Sequence, residues 1–149
     1  MALDWKLVID ASDPIAQADF WAEALGYELE DHSVLIARLR EHGQLPPDST
    51  VLAHGRDAWR DYAAVRHPDD RVDTENGVGL GRRLLFQRVP EGKTVKNRLH
   101  MDLHPGTDRR AEEVARLEAL GATVLAEQDQ PAGRWTTMAD PEGNEFCVQ

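Results

Sequence analysis

The sequence predicts an α+β fold built from two diverged copies of one strand–helix–sheet module, with a small-molecule site in the cleft between them. Three observations carry that expectation. Asp13 opens a helical stretch that stops at Leu25-Gly26, and Asp108 opens another, of the same length, that stops at Leu120-Gly121. An alternating strand pattern precedes each helix, and further strand patterns follow it. The second copy closes on a tight turn, Asp140-Pro141-Glu142-Gly143-Asn144.

Each helix has local reasons to begin and end where it does. Asp13 suits an N-cap, because its carboxylate can accept the first unpaired backbone N–H groups. Pro14 suits the first helical position, where a missing N–H costs nothing. Ile15, Ala18, Ala22 and Leu25 then form one apolar stripe, and Gly26 can take the left-handed conformation that stops the helix. In the second copy Asp108 is expected to cap, Ala111, Val114, Leu117 and Leu120 form the stripe, and Gly121 ends it. The adjacent Phe20 and Trp21 should part company, one facing the core and the other meeting a partner subunit.

The strands follow. Trp5 to Asp10 alternates, with Trp5, Leu7 and Ile9 on one face, and Leu99 to His104 alternates with Leu99, Met101 and Leu103 on one face. Tyr27 to Glu30 and Arg83 to Val89 complete the first copy. Ala122 to Glu127, Arg134 to Ala139 and Glu145 to Gln149 complete the second. Between them lies an insertion, residues 31–81, in which Ser33 to Glu41 and Arg56 to Ala64 both read as helical. Module one is thus expected over 1–92 and module two over 93–149, as one domain. The glycines of Gly77-Val78-Gly79-Leu80-Gly81 lack the strand–loop–helix setting of a phosphate-binding loop, and no Lys-Ser/Thr follows them.

Bulk properties narrow the function classes. The 149 residues include 27 acidic and 17 basic ones, for a net charge of −10, which repels a phosphate backbone and argues against a nucleic-acid partner. The single cysteine, Cys147, excludes a disulfide within the chain and suits a reducing, cytoplasmic location. No leader-like segment opens the sequence, and no apolar run approaches the ~20 residues that span a bilayer.

Asp13-Pro14 leading to Phe20-Trp21 and Ala24-Leu25-Gly26-Tyr27 resembles the first-module signature of the vicinal oxygen chelate superfamily. Asn97-Arg98-Leu99-His100-Met101-Asp102-Leu103 is similar to its second-module opening strand, and Asp140 to Phe146 to its closing hairpin. The likeness is nearest to the glyoxalase-like branch and covers both ends and the middle of the chain, but not the insertion. It implies paired βαβββ modules whose mixed sheets curl around a cup. It also implies a homodimer, and either a metal-dependent lyase, isomerase or dioxygenase or a drug-binding protein without catalysis.

In metal-using members the ligands come from the first and last strands of both modules. His100 matches one of them. Aligning the apolar faces puts Lys6 opposite His100, although an ungapped count would put Trp5 there. The closing carboxylate of the second module is replaced by Cys147, and the first module offers Gln87 or a neighbour. A divalent metal is therefore disfavoured, with His100 and His104 as its remaining imidazole ligands. His100, Asp102 and His104 alternate along one strand and share a face. They line a wet cleft, and His100 is the candidate general base. Lys6 is a candidate for holding an anionic group, and Trp135 for an aromatic wall. Cys147 is either a small buried filler or a reactive thiol. The reading that follows is a small-molecule-binding protein with an altered or absent metal site. The alternative is a lyase or isomerase of glyoxalase type centred on His100.

Overall fold

A computed structural model describes all residues except Asp4, and the Thr107 side chain is also left undescribed. The chain divides into two compact units, Met1–Glu91 and Gly92–Gln149.

Unit one begins with β1 (Leu7–Ala11), α1 (Pro14–Leu25) and β2 (Glu28–Leu29). The Asp13 carboxylate accepts hydrogen bonds from the Ile15 and Ala16 N–H groups, both at 3.1 Å, so the expected N-cap forms. Gly26 closes the helix at φ 66°, a conformation that a side chain would strain. After an inserted segment come β5 (Tyr62–Arg66) and β6 (Arg83–Arg88). The strands pair in the order β1-β6-β5-β2, with β1 parallel to β6 and the other pairs antiparallel. The buried face of this sheet carries Val65, Leu84 and Phe86, and α1 packs across β5 and β6. Phe20 and Trp21 do not part as expected. Both are buried, with their rings edge to face at 5.3 Å.

One buried group in this core is badly served. Gln17 is 1% exposed, and among the described residues neither atom of its amide has a hydrogen-bond partner. Such a group loses its water without compensation. Gln17→Met keeps the unbranched shape and removes the polar atoms. It is expected to raise stability by about 1–3 kcal/mol. A higher urea midpoint at unchanged m-value would show this, and a lower midpoint would contradict it.

The inserted segment holds α2 (Ser33–Glu41) and a hairpin, β3 (Thr50–Ala53) and β4 (Arg56–Trp59). The helix expected over Arg56 to Ala64 is thus replaced by β4 and the start of β5. The reason is the turn His54-Gly55, where φ is 53° and 73°. Two successive left-handed residues make the tight hairpin turn whose twist matches paired strands. Strand β5, the third strand of the module's sheet, lies inside the 31–81 span. The later glycines of that span serve packing. A Cβ on Gly77 would lie 2.1 Å from the Asp31 carbonyl oxygen, and one on Gly79 would lie 2.8 Å from the Arg66 Cβ.

Unit two repeats the same connectivity: β7 (Asp102–Leu103), α3 (Arg110–Ala119), β8 (Thr123–Gln130), β9 (Gly133–Ala139) and β10 (Glu145–Val148). The order β7-β10-β9-β8, with β7 parallel to β10, matches β1-β6-β5-β2 element for element. Each module is therefore βαβββ around a mixed sheet. Asp108 does not cap α3. A 3-10 turn over Thr107–Arg109 intervenes, and the cap position is Arg109 with no side-chain hydrogen bond. The opening strand is also shorter than the expected Leu99 to His104. Met138, Phe146, Val148 and Leu117 make the core of this unit, each at most 1% exposed.

Candidate functional site

Sheet register tests the alignment of the two copies residue by residue. Gly26 and Gly121 stop equivalent helices. Two residues on, Glu28 pairs with Arg66 in unit one, and Thr123 pairs with Ala139 in unit two. Following the ladders inward, Ala64 pairs with Leu85 and Leu85 with Val8. In the second unit Thr137 pairs with Cys147 and Cys147 with Asp102. Leu85 is thus the counterpart of Cys147, and Val8 that of Asp102. Lys6, two residues before Val8, is the counterpart of His100, as the matching of apolar faces requires. Gln87 lies two residues beyond the equivalent position, paired with Asp10 and Tyr62.

On the second sheet the register brings candidate residues together. Cys147 and Asp102 are direct partners across the parallel pair, and His100 follows on the same side. One donor atom from each of His100, Asp102 and Cys147 lies within 4.8 Å of the others. His100 Nε2 stands 3.4 Å from Asp102 Oδ1. The Gln149 side chain donates to Asp102 Oδ2 at 2.7 Å, and the Thr137 hydroxyl lies 3.8 Å from Cys147 Sγ. His104, expected to join His100 and Asp102, is exposed and stands outside this cluster. The spacing along one strand is too wide for the three to converge, whereas a cross-strand neighbour closes the gap. Trp135 is half-buried on β9, two residues from Thr137 and hence on the same face.

Burial pushes the Cys147 thiol above its usual range, and the Asp102 carboxylate adds to that, against the hydrogen bond from Thr137. A thiol held protonated is a poor nucleophile, so its role as a reactive thiol loses support. The loop before β7 is anchored by Glu145. Its carboxylate accepts the Asn97 N–H at 3.0 Å and pairs with Lys93 Nζ at 3.1 Å. The Asn97 hydrogen bond is the main reason its pKa falls to about 2.

Unit one carries two features that no sequence signal announced. The Glu30 side chain is fully buried, with its carboxylate held by Arg83 Nε at 2.6 Å, Arg83 Nη2 at 2.7 Å, His32 Nε2 at 3.0 Å and the Gly79 N–H at 2.7 Å. A shallow solvent-open groove lies beside it, walled by Ile15, Ala18, Trp59 and Tyr62. The basic side chains lining the groove each face an acid: His54 faces Asp19, Arg56 faces Asp31 and His32 faces Glu30.

The four-ligand set that the vicinal oxygen chelate resemblance implies is not present. Two of its positions hold Lys6 and Leu85, an ammonium and an alkyl chain that do not bind a divalent cation at neutral pH.

Comparison with known proteins agrees with the architecture. Residues 6–149 match the family described as glyoxalase-like domain. No curated protein sequence matches the chain. Solved structures share the fold at low identity. The fosfomycin resistance protein FosX from Mesorhizobium loti is 9% identical, with a TM-score of 0.61 over 100% of this chain and 91% of that one. A glyoxalase/bleomycin resistance protein/dioxygenase family enzyme from Burkholderia phytofirmans is 15% identical, with a TM-score of 0.57 over 96% and 94%. The bleomycin-binding protein of Streptomyces verticillus, solved with copper(II)-bleomycin, is 22% identical, with a TM-score of 0.51 over 100% and 96%. Among the described residues no helix is long and apolar enough to cross a membrane. With the family match spanning nearly the whole chain and the βαβββ connectivity repeated in both units, this protein belongs to the glyoxalase-like domain family of the vicinal oxygen chelate superfamily.

Proposed function

We propose that this chain binds a small organic molecule on the second-module sheet face that carries His100, Asp102, Thr137, Cys147 and Trp135, and that the family's usual metal set has been altered. The observation that carries this reading is the register that matches Lys6 with His100 and Leu85 with Cys147. A face with one aromatic side chain and several hydrogen-bonding groups suits a planar ligand with a polar substituent. The imidazole of His100 favours an anionic substituent such as a carboxylate. The similar solved structures of a fosfomycin resistance protein and a bleomycin-binding protein support a small-molecule ligand for this fold.

The test is saturable quenching of tryptophan fluorescence by planar aromatic carboxylates, using chelator-treated protein. His100→Ala is expected to raise Kd about 10–100-fold, the worth of a charge-assisted hydrogen bond. Absence of saturable binding, or unchanged Kd in His100→Ala, would overturn the reading. The homodimer that the resemblance implies is checked on the same sample by light scattering.

A second reading, a lyase or isomerase of glyoxalase type, is favoured by the 3.4 Å pair of His100 and Asp102, since a carboxylate beside an imidazole supports a general base. It requires turnover that disappears in His100→Ala while the circular dichroism spectrum stays unchanged.

A further inference from the structure

We propose that the first unit carries a separate small-molecule site, in which the backbone N–H and C=O of Tyr62 hold a neutral planar heterocycle that presents a hydrogen-bond donor beside an acceptor. A lactam edge is the simplest case. The site is the groove between α1, the outer edge of β5 and the β3–β4 hairpin. It uses no residue of the second unit, so it is independent of the ligand face in the preceding section.

The two modules differ at one sheet edge. In unit two β8 covers β9 from Thr123 opposite Ala139 to Gln130 opposite Gly133. In unit one β2 stops after Glu28 and Leu29, and the chain leaves for α2 and the hairpin. Trp135, the counterpart of Tyr62, is paired with Gln128 on that edge, whereas no strand lies there beside Tyr62. The ladder fixes which way the backbone points. The Asp61 C=O accepts the Arg88 N–H at 2.8 Å, and the His67 N–H donates to the Arg82 C=O at 2.9 Å. Odd-numbered residues therefore turn toward β6, and Tyr62 and Ala64 turn toward the groove. Along this outer edge the Arg60 N–H is bound to the Ser49 C=O and the Ala64 C=O to the Glu30 N–H, both at 2.9 Å. Among the described residues the Tyr62 N–H and C=O have no such backbone partner. One open donor–acceptor pair between two occupied positions is too short for an added strand and suits a small molecule.

The walls select the shape and charge of the ligand. Ala18 of α1, Ala53 and Ala58 of the hairpin and Ala63 of β5 line the groove, and side chains this small let a flat ring reach the strand backbone. Trp59 and Tyr62 add aromatic surface for the faces of that ring. The lining charges are matched within the protein. His54, Arg56 and His32 each face an acid, Asp57 pairs with Arg40 at 2.7 Å, and Glu30 pairs with Arg83 at 2.6 Å. A charged ligand finds no unmatched countercharge, so charge complementarity selects a neutral one. A ring N–H then donates to the Tyr62 C=O, and the adjacent ring carbonyl accepts the Tyr62 N–H.

The experiment is titration of the isotope-labelled full chain with isoquinolone, a neutral fused-ring lactam, followed by amide proton–nitrogen correlation NMR. Saturable shifts are expected at the Tyr62 and Ala64 amides and at the Trp59 indole. The N-methyl lactam has lost its donor and should bind about tenfold more weakly. Tyr62→Pro removes the N–H at a sheet edge, where proline is tolerated, and should weaken binding about tenfold beyond Tyr62→Ala, which removes only the ring. Ala53→Leu narrows the groove and should abolish the shifts. His100→Ala should leave them unchanged, which separates this site from the ligand face of the second unit. If Tyr62→Pro does not fold, the comparison of the two lactams on the unaltered chain still decides. Four results would each overturn the proposal: no saturable shift at Tyr62, equal affinity for both lactams, equal affinity of Tyr62→Pro and Tyr62→Ala, or binding of an extended alanine-rich peptide in place of the lactam.

Discussion

Arg83→Met is expected to destabilise the protein by about 3–5 kcal/mol, the cost of leaving a buried charge without its main partner. Arg83 grips both oxygens of Glu30, whose side chain is 0% exposed against 9% for Arg83. Burial by itself would raise the Glu30 pKa. The hydrogen bonds from His32, Arg83 and the Gly79 N–H outweigh it and hold the carboxyl at about 2. A carboxylate with a depressed folded-state pKa stabilises the fold above its unfolded value. That stability is lost as the pH falls through the folded value. The loss for the wild type should therefore spread from near pH 4.5 down to about 2. At about 1.4 kcal/mol per pKa unit it amounts to about 3 kcal/mol. In Arg83→Met most of this acid dependence should vanish. Urea midpoints measured between pH 2 and 7 separate the outcomes. The double variant Arg83→Met/Glu30→Gln should recover part of the loss, since it removes the stranded charge. A neutral result for Arg83→Met would mean that water reaches Glu30 and replaces the guanidinium.

The second large effect is expected at Asp140, in the turn between β9 and β10. Its carboxylate accepts the Glu142 N–H at 3.0 Å, the Asn144 N–H at 2.9 Å and the Asn144 side-chain amide at 3.0 Å, and the residue is 3% exposed. Asp140→Ala leaves these donors without an acceptor and should cost about 2–4 kcal/mol, given 1–3 kcal/mol for each stranded donor and strong non-additivity. The consequence reaches the site. This turn sets the register that pairs Thr137 with Cys147, and Cys147 in turn with Asp102. Asp140→Asn keeps one acceptor oxygen and should lose less. Hydrogen exchange at the amides of Phe146 to Val148 would report the change. Unaltered protection in Asp140→Ala would show that the hairpin is held by its flanking core alone.

Legibility of the fold followed the range of the forces involved. The cap of α1, its Pro14 start and its Gly26 stop all act within a few contiguous residues, and the structure has each of them. The closing turn is local in the same sense. Arg56 to Ala64 misled because its apolar and polar residues also fit a helical period, and because His54-Gly55 is not among the Asn-Gly and Asp-Gly pairs that mark a left-handed hairpin turn in sequence. The missing Asp108 cap shows the converse. An acidic residue ahead of an apolar stripe is permissive, and the chain entering through a 3-10 turn over Thr107–Arg109 moves the helix start beyond its reach.

The candidate site divides along the same line. His100, Asp102 and Cys147 are each conspicuous by residue type. The sequence by itself determined the two-copy plan, the α1 helix limits, the shared face of His100 and Asp102, and the match of Lys6 to His100 through their apolar neighbours. Only the tertiary structure decided that Cys147 sits across the ladder from Asp102 and that His104 stands apart. It alone revealed Glu30 sealed beneath Arg83 and Gln149 behind Asp102. Caps and turns are written in adjacent residues. Cross-strand neighbours depend on register, which is fixed by the burial of Met138, Phe146 and Val148 together and cannot be assigned to any one of them.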